Sequence, residues 1–139
     1  MKQLGADNAA IGEHLAGADS FGPYDLILET VGGDTLARAL NLLNPGGTCV
    51  LFGASAGATT TFDAARFRVG GTSLYGLVMQ YELARTPPSV GLAELLNLLA
   101  ASKFDPAIER RGALSDIADV ADALMQRRFA GKAVLTVAS

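Results

Sequence analysis

The chain has 139 residues, half of them apolar and 18% charged, with a formal net charge of -3 at neutral pH. That length is about one domain's worth, and that balance belongs to buried strands and packed helices, which excludes a disordered tail and predicts a single domain over residues 1–139. The acidic balance, with no Lys/Arg run longer than two residues, excludes nucleic acid as a partner, and no apolar run is long enough to cross a membrane.

Residues 1–6 read as the last turn of a helix ended by Gly5, residues 8–11 as a short strand, and residues 12–23 as a polar connection. His14, the one histidine, falls in that connection and is expected at the surface, since a lone imidazole is a poor basis for zinc. From Tyr24 to Val31 the run is nearly all apolar, with Asp25 and Glu29 as exceptions, as in a central parallel strand covered on both faces. Gly32 and Gly33 end it. Asp34 is the expected N-cap of a helix whose Leu36, Leu40 and Leu43 fall on one face, and Pro45, Gly46 and Gly47 stop that helix.

A second strand, Thr48 to Phe52, breaks into the small-residue turn GASAG. Inside it lies Cys49, the only cysteine, read as a small buried apolar residue; with no partner for a disulfide and no signal peptide over residues 1–10, a reducing cytoplasm is the expected compartment. Residues 62–71 carry no assignable pattern. A third strand runs from Thr72 to Met79, where Gly76 hints at a bulge or at close approach by a ligand or second backbone.

Pro87 and Pro88 open a helix with an apolar stripe of Leu92, Leu95, Leu96 and Leu99. Residues 104–110 form a loop into a short strand. Ser115 is the expected cap of a last helix, acidic early and basic late, with Ile117, Val120, Leu124 and Met125 inward. Gly131 ends that helix, and residues 132–137 close the chain as a strand.

The strand–helix–strand unit over residues 24–57 is the repeat of a parallel α/β sheet. In such sheets ligands bind beyond the carboxyl ends of the strands, which points to the glycine turns at residues 30–34 and 53–57. Signatures of metallohydrolases, serine hydrolases, thiol redox proteins and P-loop proteins are lacking from the sequence.

The order of the pieces narrows the reading. The turn DLILETVGG, the strand LNPGGTCVLFG and the closing GKAVLTV resemble the carboxyl-terminal half of the medium-chain dehydrogenase/reductase family, above all its zinc-free, quinone oxidoreductase-like, alcohol dehydrogenase-related branch. The resemblance implies a partial doubly wound, Rossmann-like parallel sheet and hydride transfer from NADP or NAD, without a metal, to a quinone, enone or other carbonyl. By position it implies that Thr30, Val31 and Gly32 face the coenzyme, that Phe52, Gly53 and Ala54 lie beside the nicotinamide, and that Leu77 sits near its carboxamide. The catalytic residues are left unassigned, with Ser55 and Tyr75 as weaker candidates for an acid. In the family the strand matching residues 72–79 pairs with its copy, so a homodimer through that strand is expected.

The family's amino-terminal catalytic domain, its glycine fingerprint and the first two strands of its sheet have no counterpart in this sequence, which therefore reads as a fragment, inactive alone and a weak binder of coenzyme. Two alternatives stay open: a piece of an S-adenosylmethionine-dependent methyltransferase, which DLILE and the NPGGTCVL strand also resemble, and a non-catalytic association module derived from a reductase. The coenzyme reading expects Gly53→Val to weaken NADPH binding with little loss of stability.

Overall fold

A computed structural model describes residues 5–137 and resolves two compact units, residues 1–86 and 87–139. In the first unit, β1 (Tyr24–Glu29), α1 (Gly33–Asn41), β2 (Leu43–Leu51), α2 (Ala64–Val69), β3 (Ser73–Gly76) and α3 (Met79–Arg85) follow in order. The three strands form one sheet, β1-β2-β3, parallel throughout. Ile27, Cys49 and Leu74 stand opposite one another across it.

Alternation along β1 sends Ile27 and Glu29 to one face and Leu26 and Leu28 to the other. The first face meets α1, where Leu36, Leu40, Leu43 and Cys49 make the core, with Ile27, Leu51 and Phe67 packed against it. The leucine spacing that predicts α1 is thus the spacing that fills this core. The second face is not covered as expected: Leu26 is 59% and Leu28 64% exposed, and β1 is an edge strand among the described residues.

Several local expectations change. The cap of α1 is Gly32 and not Asp34, which lies in the first turn. Pairing of β2 begins at Leu43 and slips before Leu26 meets Thr48, so Pro45, Gly46 and Gly47 form an irregularity within the strand and not only a stop. Gly47 is required there, since a Cβ would approach the carbonyl oxygens of Asn44 and Tyr24 to 2.9 Å each. Residues 8–11 form no strand, the 3-10 turns Glu13–Leu15 and Ala18–Ser20 occupy the connection, and residues 64–69 and 79–85 are helical where the sequence carried no helical reading. Residues 1–4 of the expected opening helix lie outside the described residues.

The second unit holds α4 (Pro88–Ala100), β4 (Ile108–Ala113), α5 (Ile117–Met125) and β5 (Lys132–Thr136), with β4 and β5 paired in parallel. Ser115 does not cap α5. Its hydroxyl donates to Asp116 Oδ1, while Asp116 Oδ2 accepts the Ala113 amide at 3.1 Å, so the aspartate, at the N-cap, organises the entry. The buried residue of α5 is Ala123, whereas Ile117, Leu124 and Met125 are 54%, 53% and 82% exposed.

Candidate functional site

The turns after β1 and β2 continue the parallel pairing past the strands. The Phe52 amide donates to the Glu29 carbonyl at 3.0 Å, the Ala56 amide to the Val31 carbonyl at 2.8 Å, and Gly32 bridges Gly57. At the next strand the Leu77 amide donates to the Leu51 carbonyl at 2.8 Å. All the residues that the family resemblance implies for coenzyme binding, Thr30, Val31, Gly32, Phe52, Gly53, Ala54 and Leu77, therefore lie at the carboxyl ends of three adjacent parallel strands, where open α/β sheets place their ligands.

Two of the glycines are fixed by the fold itself. Gly53 has Thr30 oxygen 2.6 Å from where its Cβ would stand, and Gly32, at φ +74°, has Gly57 oxygen at 2.3 Å and the Ala54 Cα at 3.1 Å. These approaches let the two turns touch. The expectation that Gly53→Val would leave stability intact does not survive this contact. Gly76 differs: its Cβ would meet open space, and no bulge interrupts its pairing with Leu51.

In the sequence Glu29 is only an interruption of an apolar strand. It is 4% exposed, and its carboxylate accepts the Val31 amide at 2.7 Å and the Gly32 amide at 2.9 Å. One side chain at the end of β1 thereby closes the turn that starts α1. The signal that could have found it is an acid one turn before two glycines, at the point where orphan amides of a helix start need acceptors.

The other candidates are placed as follows. Phe52 is 48% exposed at the tip of β2, Leu77 is half-buried, and Thr30 and Ala54 are exposed. Ser55 reaches Thr30 oxygen through both its amide and its hydroxyl at 3.4 Å. The Tyr75 hydroxyl donates to Glu82 and accepts from Arg85 Nη1 at 3.0 Å, so its proton is held by a carboxylate on α3. Cys49 is fully buried, and burial, helped by the Glu29 charge, pushes its thiol up to about 11. A recess of about 800 Å³ lies elsewhere, along Asp7–Gly12 with Phe21 and Tyr24, and includes none of the residues assigned to the coenzyme.

A family model described as zinc-binding dehydrogenase matches residues 4–135. The chain belongs to that family. Among solved structures, benzyl alcohol dehydrogenase from Acinetobacter calcoaceticus shares 23% identity at a TM-score of 0.77 over 99% of this chain and 39% of its own. A mycobacterial quinone oxidoreductase shares 24% at 0.75 over 96% and 44%. A mycobacterial protein solved with NADPH shares 25% at 0.70 over 96% and 45%. The chain thus spans less than half the length of each of these structures. No curated protein matches it.

The match sets the methyltransferase alternative aside and confirms the Rossmann-like sheet. The family's description names zinc; among the described residues no group of three or more His, Cys, Asp or Glu side chains converges. The one thiol, Cys49, is buried.

Proposed function

We propose that the chain forms the nicotinamide-facing part of the coenzyme domain of an NAD(P)H-dependent medium-chain oxidoreductase that reduces a quinone, an enone or another carbonyl compound. What carries the reading is the parallel junction of β1 and β2, with Gly32 bridged to Gly57 and Phe52 exposed beside it. The quinone oxidoreductase and the NADPH-bound neighbour support it. The coenzyme would supply the hydride. Of this chain's residues, Thr30, Val31 and Gly32 would line one wall of the seat, Phe52, Gly53 and Ala54 would press on the nicotinamide ring, and Leu77 would border its carboxamide.

The amides of Val31, Gly32, Ser55, Ala56 and Leu77 are all engaged within the chain. The seat therefore works by shape and apolar contact more than by donating hydrogen bonds, which agrees with weak binding by this segment alone. The reading also places the protein in a reducing cytoplasm and pairs β3 with its copy in a homodimer. Titration of the ¹⁵N-labelled chain with NADPH should move the amide resonances of residues 30–34 and 52–57 and leave β4 and β5 unmoved. Shifts confined to other residues, or none at millimolar coenzyme, would overturn the assignment.

A further inference from the structure

Very little joins α3 to the rest of the first unit. None of its seven residues is buried, and all but Glu82 are exposed, among them Met79, Tyr81 and Leu83. The Tyr81 and Glu82 amides donate to the Val78 carbonyl at 3.0 and 3.3 Å and the Thr86 amide to the Glu82 carbonyl at 3.0 Å, so these main-chain bonds stay within the helix and its two caps. An isolated helix of that length does not hold itself in water. What ties it down is a side chain of β3. The Tyr75 hydroxyl donates to the Glu82 carboxylate and accepts from Arg85 Nη1 at 3.0 Å, while Arg85 Nη1 stands 3.5 Å from Glu82 Oε1, three residues back on the same helix face.

The ends of α3 have the form of hinges. Val78 (φ -124°, ψ 120°) and Thr86 (φ -132°, ψ 126°) flank it in extended conformation, and such element-terminal residues are where a moving segment absorbs its change of angle. Ahead of the first hinge the chain is fixed, since the Leu77 amide donates to the Leu51 carbonyl at 2.8 Å. We propose that α3 is a strap that opens and closes as a unit about Val78 and Thr86, and that the Tyr75 hydroxyl is the latch that holds it closed. Exposed hydrogen bonds and a surface ion pair each stabilise only a little, so the strap opens while the sheet stays folded. Because the strap starts one residue past Leu77, its state sets how far the chain beyond β3 stands from the carboxyl ends of the strands. Nothing in this arrangement requires a coenzyme at those ends, so failure of the coenzyme reading would leave it untouched.

Hydrogen exchange of the full ¹⁵N-labelled chain reads the strap directly. In the wild type the Glu82 and Thr86 amides should exchange faster than the Phe52 and Ala56 amides, which bond the Glu29 and Val31 carbonyls across the sheet. The rate at Glu82 and Thr86 should not change with urea below the unfolding transition, the mark of a local opening that exposes little surface. Tyr75→Phe removes one oxygen from a residue outside α3, so it keeps the ring and leaves the propensity of the helix as it was. It should raise exchange at Glu82 and Thr86 by about threefold or more, the equivalent of one exposed hydrogen bond, and leave Phe52 and Ala56 unchanged.

Glu82 and Thr86 amides that share the rate and the urea dependence of the Phe52 and Ala56 amides would overturn the strap. Exchange at Glu82 and Thr86 left unchanged by Tyr75→Phe, or raised equally there and in the sheet, would overturn the latch.

Discussion

A methyl group added at residue 53 would stand 2.6 Å from the Thr30 carbonyl oxygen, and the obstacle is main chain, which no rotamer change can move. Gly53→Val should therefore push β1 and β2 apart at their tips and cost about 2 kcal/mol, the usual scale for overpacking. Thermal unfolding of the purified variant would show a melting temperature several degrees lower; an unchanged one would mean that the two turns are not in contact. Cys49 gives a second test at this scale. Its pKa is raised in the folded chain, from 9.0 to about 11, first by desolvation and then by Glu29. The contribution to stability is therefore fully present below pH 9 and lost as pH rises towards 11, on the order of 2 kcal/mol in all. Urea midpoints measured between pH 8 and 11 should fall more steeply for the wild type than for Cys49→Ala, and parallel curves would refute the buried-thiol account. That Cys49 is buried was legible from the apolar run around it. The inward turn of the amides onto Glu29 was not, because it depends on the distance between a side chain and main chain two and three residues on, which periodicity does not report.

The elements show where pattern is informative and where it is not. The strands β1, β2, β3 and β5 and the helices α1 and α4 follow from apolar runs, leucine spacing and glycine or proline stops. The helices α2 and α3 are short, with six and seven residues, and hold no fully buried residue, Phe67 of α2 being only partly buried against the core; so small an apolar face leaves no periodic trace. The cap of α5 is ambiguous in the sequence for a related reason: Ser115 and Asp116 are both good cap residues, and only their contacts distinguish them. Asp116→Ala removes the acceptor of the Ala113 amide and an acid at the start of α5, and should cost about 1 kcal/mol, with Ser115→Ala much less, measurable as a difference in chemical denaturation midpoint; equal losses would restore the serine. Among the described residues β3 is an edge strand, and that edge carries the dimer proposal. Because the Leu77 amide bonds β2 and parallel strands alternate their bonding direction, the Leu74 amide faces away from β2. Leu74→Pro removes that outward donor while leaving the β2 pairing in place. Light scattering should then report a monomer for the variant and a dimer for the wild type; a variant of unchanged mass would remove β3 from the interface.

At the scale of the whole chain, the apolar side chains are buried very unevenly. Leu36, Ala39, Leu40, Leu43 and Cys49, all in residues 1–86, are buried, and in residues 87–139 only Ala123 is buried among the described residues. The composition, half apolar, predicted one core without showing that it would lie almost wholly under α1, since composition counts side chains and not their neighbours. The second unit then consists of a 13-residue helix, a nine-residue helix and one pair of strands. Helices of that length are marginal in water by themselves, and a lone strand pair is no better. On α4 the leucines Leu92, Leu95, Leu96 and Leu99 are between 43% and 64% exposed, so they contribute little of the burial that would offset the ordering of the backbone. A peptide of residues 87–139 should accordingly give a circular dichroism spectrum without a cooperative thermal transition. A peptide of residues 1–86 should keep a sigmoidal one, because the contacts among α1, β1 and β2 lie wholly within it. A cooperative transition in the shorter peptide would mean that its stability comes from somewhere other than buried apolar area, and the attribution of the chain's stability to the α1 core would then fail.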